Sequence, residues 1–184
     1  MLVSQLQHIG VNAFGLSGLD GQLMKAKRKG AIRNVKNGKR IIIRDDQSGK
    51  IHDVNAELLF LLLGAGYVPV IAPLALGENG EALNTDADRA AAMVAAALQA
   101  EILLLLTAVP GLMRDFPDEA TLISTLKASQ LDEAMQYAEG RMKKKVLGAQ
   151  EALQGGVKYV AIADGRNPKP IQQALAGNGT WIQA

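Results

Sequence analysis

The sequence predicts an α/β protein: a three-layer sandwich with a mainly parallel sheet, plus a basic β-hairpin as an excursion. Three observations predict it. Strand-sized apolar runs alternate with helix-period segments along the chain. The run Ile102 to Leu106 is apolar at every position, as expected of a parallel strand covered on both faces. Nineteen glycines among 184 residues supply the tight loops that such alternation needs. Aromatic residues are only 4% against 48% hydrophobic residues, so the core is aliphatic. There is no internal repeat and no low-complexity linker.

The elements follow in order. Residues 2–9, with Leu2, Val3 and Leu6, read as the end of an amphipathic helix. Val11 to Leu16 is a short apolar strand running into Gly15-Leu16-Ser17-Gly18-Leu19-Asp20-Gly21. Glycines at this spacing let backbone N–H groups approach a ligand, but a tight strand-to-loop corner is the simpler explanation of them. A basic strand is expected near 24–28, then strands over Ala31 to Val35 and Arg40 to Arg44, joined by a turn at Asn37-Gly38. A helix starts near Val54, capped by Asp53 or Asn55, and ends at Gly64 and Gly66. Tyr67 to Ala72 reads as a buried strand and 73–83 as a loop. Asn84-Thr85-Asp86 supplies N-cap residues for a helix from Asp86 to about Leu98. After the strand at Ile102, Pro110 and Gly111 force a loop at its carboxyl edge, where open α/β sheets bind ligands. Residues 112–128 are a mixed excursion. Helices follow near 130–138 and 141–154, a strand at Tyr159 to Ala163, a helix from Lys169 to Ala176, and an edge strand at Thr180-Trp181-Ile182.

Composition excludes several classes of function. With no cysteine there is no disulfide and no thiolate metal site. His8 and His52 are the only histidines, which argues against a multi-histidine metal centre. No apolar run reaches 18 residues, and the N-terminal residues have neither a basic region nor a cleavage site, so a cytoplasmic protein is expected.

Charge is uneven. The net charge is +2, yet Lys25, Lys27, Arg28, Lys29, Arg33, Lys36, Lys39, Arg40 and Arg44 fall in one window without an acid between Asp20 and Asp45. Nine of 20 basic residues in that window point to an anionic partner rather than a balanced solvated face. The hairpin holds no aromatic residue, which weakens a single-stranded nucleic-acid reading. A second cluster, Lys143-Lys144-Lys145, follows Gly140 at the start of a helix. The helix dipole disfavours cations there by a few tenths of a kcal/mol or more, a cost that a nearby anion relieves.

These motifs, in this order, resemble the amino acid kinase family. The likeness is greatest to acetylglutamate kinases and to the carrier-linked aminoadipate/glutamate kinases. It is carried by the Gly15–Gly21 turn, Val54-Asn55-Ala56-Glu57, Gly66-Tyr67-Val68-Pro69-Val70, Asn84-Thr85-Asp86-Ala87-Asp88, Val109-Pro110-Gly111-Leu112, Gly140-Arg141-Met142-Lys143-Lys144-Lys145 and Gly179-Thr180-Trp181-Ile182. The resemblance implies phosphoryl transfer from ATP, accompanied by Mg²⁺, to a carboxylate, giving an acyl phosphate. It implies that Asn84 holds the substrate, that Asp88 orients catalytic lysines, and that Lys145 neutralises the transferred phosphoryl group. Thr107, Gly111, Leu112, Gly140, Met142 and Lys145 would line the ATP pocket.

The carrier-linked branch is favoured because Leu19 stands where acetylglutamate kinases commonly have lysine, and because the hairpin is basic. The partner implied is a small acidic amino-group carrier protein (LysW-like), docking on residues 24–44; N-acetylglutamate kinase is the alternative. A homo-oligomer, such as a dimer, is also implied. By the same resemblance, residues 1–184 form one incomplete domain. Residues 1–72 are the remainder of the acceptor-side half, with the basic hairpin at 22–53, and 73–184 are the nucleotide-binding half. The family's opening lysine–glycine strand, a later glycine pair and a substrate-binding arginine have no counterpart here, as though roughly the N-terminal third were absent. The polypeptide alone is therefore expected to have little or no kinase activity, or to be a nucleotide-binding remnant. Ala108 also departs from the pattern, since an acidic or amide side chain is common at that place.

Overall fold

The computed structural model describes residues 1–30, 32–36, 39–43 and 46–184, with backbone alone for 32–36 and 39–43. It forms two compact units, Met1–Ala90 and Ala91–Ala184.

The first unit opens with helix α1 (Leu2–His8) and strand β1 (Ala13–Ser17). Strands β2 (Met24–Arg28), β3 (Ile32–Lys36), β4 (Lys39–Ile43) and β5 (Gly49–Val54) follow. Helix α2 (Ala56–Gly64) starts at the Asn55 N-cap, whose side chain accepts from the Leu58 N–H at 3.3 Å. Then come β6 (Val68–Ala72), β7 (Leu74–Gly77), β8 (Ala82–Asn84) and helix α3 (Ala87–Ala97), which runs on into the second unit.

β1 and β6 pair in parallel, with Gly15 opposite Val70. The expected buried strand at Tyr67 to Ala72 is corrected here: Tyr67, Val68 and Ala72 are exposed and the residues between them half-buried. Among the described residues this sheet holds β1 and β6 alone, so it buries far less than a wide parallel sheet does. The Gly15–Gly21 turn is the tight corner. The Ser17 N–H and hydroxyl both donate to the Asp20 carboxylate, at 2.6 and 2.9 Å, and the Gly18 N–H donates to the Ala72 carbonyl. These N–H groups are satisfied within the chain. A Cβ at Gly18 would run into the Leu74 carbonyl oxygen, which explains the glycine.

The segment 73–83, expected as a loop, is a hairpin of β7 and β8, with Ala75 opposite Leu83. It exists because it completes a four-stranded sheet of order β5-β2-β7-β8. A bridge between Ser48 and Asn84 then joins the two edges of that sheet. Met24, Ala26, Ala75 and Leu83 are fully buried in this unit. The basic window is likewise divided differently from expectation. It is not one hairpin over 22–53: β2, carrying Lys25, Lys27 and Arg28, pairs with β5 and β7, and only β3 and β4 pair with each other alone. The expected Asn37-Gly38 turn, Ala31 and Arg44 lie outside the described residues, as do the side chains of Arg33, Lys36, Lys39 and Arg40.

The second unit contains β9 (Ile102–Thr107), β10 (Thr125–Lys127), α4 (Leu131–Ala134), α5 (Arg141–Gln154), β11 (Tyr159–Asp164), α6 (Pro170–Leu175) and β12 (Thr180–Gln183). Its sheet order is β10-β12-β11-β9, parallel except for the antiparallel β11–β12 pair. Strand residues alternate between faces. Val160 and Ile162 join Leu103, Leu105, Ala92, Ala95, Val146 and Ala149 in one core cluster, on the side covered by α3 and α5. Ala161 and Ala163, on the other side, are buried where α6 packs on β9 and β11. Helix, sheet and helix make the three layers. No helix among the described residues is long and apolar enough to cross a membrane.

Candidate functional site

β9 is a continuous apolar strand, and its last residue, Thr107, sits at the carboxyl edge of the sheet. The chain then turns through Val109-Pro110-Gly111. The Leu112 N–H donates to the buried Thr180 hydroxyl oxygen at 2.8 Å, and the Leu112 carbonyl accepts from the Ile123 N–H at 2.9 Å. The loop is thereby pinned to β12 and to the segment before β10. Below it, the Thr107 carbonyl accepts from the Gly165 N–H at 2.7 Å. Opposite Thr107 in register, Asp164 forms a bidentate pair with Arg166, the shortest contact being 2.6 Å. The guanidinium beside Asp164 holds its carboxyl below the usual carboxylate range, and the same contact raises Arg166.

Between this loop and the start of α5 lies a cavity of about 350 Å³. Thr107, Gly111, Leu112, Gly140 and Met142, all expected around the nucleotide, line it together. Lys145 is not in its wall. It lies one turn along α5, half-buried, while Lys143 and Lys144 at the helix start are exposed. The wall also holds four residues that the sequence did not single out: Met113, Phe116, Tyr137 and Glu139. Tyr137 is fixed from outside by Arg114, whose guanidinium lies 5.5 Å from the ring centre and donates to the phenol oxygen at 3.4 Å. A signal for two of them existed in composition. The chain has seven Phe, Tyr and Trp residues in all, and two of them face this cavity.

Asn84 and Asp88 belong to the first unit. Asn84 ends β8 with its side chain exposed, and its N–H donates to the Gln47 carbonyl at 2.6 Å. Thr85 is buried, its N–H and hydroxyl both bonded to the Pro73 carbonyl, and the Asp86 side chain accepts from the Arg89 N–H at 3.3 Å. That frame starts α3, whose first turn carries Asp88, half-buried. Of the proposed docking residues, Lys25 pairs with Asp53 at 3.5 Å, and Lys27, Arg28 and Lys29 are exposed.

Residues 1–164 match the sequence pattern of the Amino acid kinase family. The chain belongs to the amino acid kinase family. It is 55% identical over 181 residues to a LysW-aminoadipate kinase of Deinococcus radiodurans, covering 98% of this chain and 62% of that protein. It is 48% identical over 184 residues to a LysW-aminoadipate kinase of Thermus thermophilus, covering 99% of this chain and 68% of the relative. Among solved structures, N-acetylglutamate synthase from Neisseria gonorrhoeae, complexed with coenzyme A and N-acetyl-glutamate, superposes with a TM-score of 0.80 at 30% identity. That match covers 98% of this chain and 40% of the synthase. The chain thus spans less than two thirds of the length of the first of these relatives.

Proposed function

We propose that this chain is the nucleotide-binding part, with a portion of the acceptor side, of a cytoplasmic kinase acting on carboxylates. The γ-phosphoryl group of ATP passes to the side-chain carboxylate of an aminoadipate or glutamate whose amino group is blocked by an acidic carrier, yielding an acyl phosphate and ADP. The observation that carries this reading is the convergence of Thr107, Gly111, Leu112, Gly140 and Met142 on one cavity beside the lysine-bearing start of α5. An apolar slot with Leu112, Met113, Phe116 and Tyr137 suits a nucleobase, and the lysines beyond it suit phosphates. Mg²⁺ would be held chiefly by the nucleotide's own phosphates. Because both reactants are anions, catalysis is positioning and charge neutralisation, the work assigned to Lys145 and Asp88.

The names of the relatives support aminoadipate as acceptor and a LysW-like carrier as partner. Leu19, in place of a lysine common in acetylglutamate kinases, favours the same branch. The exposed bases of β2 would steer an acidic carrier electrostatically. Calorimetric titration tests the nucleotide reading. Mg-ATP should bind with a dissociation constant on the order of 0.1–1 mM, and Lys145→Ala should weaken it at least about tenfold. Absence of binding, or equal binding by the variant, would overturn the assignment.

A further inference from the structure

We propose that Asp46–Ser48 is a strut that holds Asn84 in position when the basic region engages its acidic partner. The inference rests on the docking and acceptor roles just proposed. Its ground is the way the sheet of β5, β2, β7 and β8 closes on itself.

The strut is gripped from both sides. On the docking side, the Arg28 Nε donates to the Asp46 carbonyl at 3.0 Å, and the Lys29 N–H donates to the Ser48 carbonyl at 2.9 Å. Both residues are among the nine bases of the acid-free window. On the acceptor side, the Asn84 N–H donates to the Gln47 carbonyl at 2.6 Å, and Ser48 bridges Asn84 in parallel. Within the strut, the Ser48 hydroxyl donates to the Asp46 carboxylate. Three consecutive residues therefore connect docking bases to the residue assigned to the acceptor, by backbone bonds on either flank.

Packing makes the connection stiff. Gly49, next in sequence, is buried where the strands meet. A Cβ there would lie 2.9 Å from the Ala26 Cβ and 3.0 Å from a Leu83 methyl, so only glycine lets the seam close. Ala26 and Leu83 are themselves fully buried, which leaves little room for the seam to yield. In sequence, β3 begins three residues after Lys29 and β4 ends three residues before Asp46. A load on the hairpin or on Arg28 and Lys29 thus reaches Asn84 through one short segment. Asp46 and Ser48 are positioning residues, acting through the Gln47 carbonyl. A small acidic carrier presenting an aminoadipate would, on docking, fix the side chain that meets its cargo.

The test uses the 184-residue chain, with decaglutamate as the acidic probe, following amide hydrogen exchange at Asn84. Bound decaglutamate should slow Asn84 exchange at least about tenfold in the parent chain. The double variant Asp46→Ala/Ser48→Ala keeps all nine bases and the flanking main-chain bonds but removes the Ser48–Asp46 brace, so it should bind decaglutamate within about threefold of the parent while the slowing at Asn84 falls to less than about half that of the parent. Ser48→Thr, which keeps the hydroxyl, should retain the slowing. Binding to the parent with no change at Asn84, or equal slowing in the double variant, would overturn the strut and leave docking intact. No binding of decaglutamate to the parent would overturn docking and the strut together.

Discussion

The two units reach stability by different routes. In Ala91–Ala184 helices pack on both faces of the sheet, and Val146, Ala149, Ala152, Val157, Val160 and Ile162 are fully buried, although Ile102 and Leu106 of the edge strand β9, expected to be covered on both faces, are exposed. In Met1–Ala90 a two-stranded parallel sheet stands beside α1, which buries no residue, and α2, which exposes Phe60, Leu61 (67%) and Leu63. Its burial is concentrated around the β5-β2-β7-β8 sheet, where Leu23, Met24, Ala26, Ala75 and Leu83 are fully buried, and turns and the seam at Ser48 and Asn84 order the rest. Parallel sheets are stable when wide and covered. One unit therefore rests on apolar burial along its main sheet, and the other combines a smaller core with hydrogen-bonded corners.

The largest expected contrast is between a core and a surface truncation. Ile162→Ala removes a fully buried side chain from β11 and should cost about 2–5 kcal/mol. Leu61→Ser on α2 should change stability by less than about 0.5 kcal/mol, because the side chain is already in water. Denaturant titration followed by the fluorescence of Trp181, the chain's one tryptophan, measures the first, and far-ultraviolet circular dichroism the second. Equal losses for the two variants would break the comparison.

A middle-sized effect should come from Thr180. Its hydroxyl oxygen, fully buried, accepts the Leu112 N–H and so links the core strand β12 to the cavity loop. Thr180→Val keeps the shape and removes the acceptor, leaving a buried N–H unpaired at a cost of about 1–3 kcal/mol. Mg-ATP affinity should fall as well, since Gly111 and Leu112 line the cavity. Unchanged stability with weakened nucleotide binding would show that the bond tunes the loop alone.

Local signals made much of this legible before any coordinates. The all-apolar Ile102 to Leu106 run, the Asn55 cap and the Asp86 frame are decided by neighbours in sequence, and each stands where it was expected. Residues 73–83 read as a loop in the sequence because strands of four and three residues carry little periodicity. Their strand character comes from pairing with β2 and from the Ser48 bridge, which are distant in sequence. The cavity behaves alike. Thr107, Gly111, Leu112 and Gly140 to Met142 sit in motifs, whereas Met113 and Phe116 come from the mixed excursion, and Tyr137 and Glu139 from the helical turn Met135–Tyr137 and the residues just after it. The inferred strut has no motif at all, since it consists chiefly of backbone bonds.

The smallest effect should distinguish the corners from the core most finely. The Asp20 carboxylate is held below the usual carboxylate range, first by the Ser17 N–H and then by the Ser17 hydroxyl. A carboxyl whose value is lower in the folded chain than in the unfolded one stabilises the fold only while ionised. Its contribution is fully present above the unfolded value of about 4 and is lost as pH falls through the lower folded value. Asp20→Asn should therefore melt below the parent at neutral pH, and the gap should close on acidification below about pH 4. Asp164 is lowered too, by Arg166, so the parent's overall acid sensitivity has at least two sources. The difference between parent and Asp20→Asn isolates the first-unit corner from that pair. A gap that stays constant from neutral pH down to about pH 3 would mean that the corner is held by chain geometry rather than by charge.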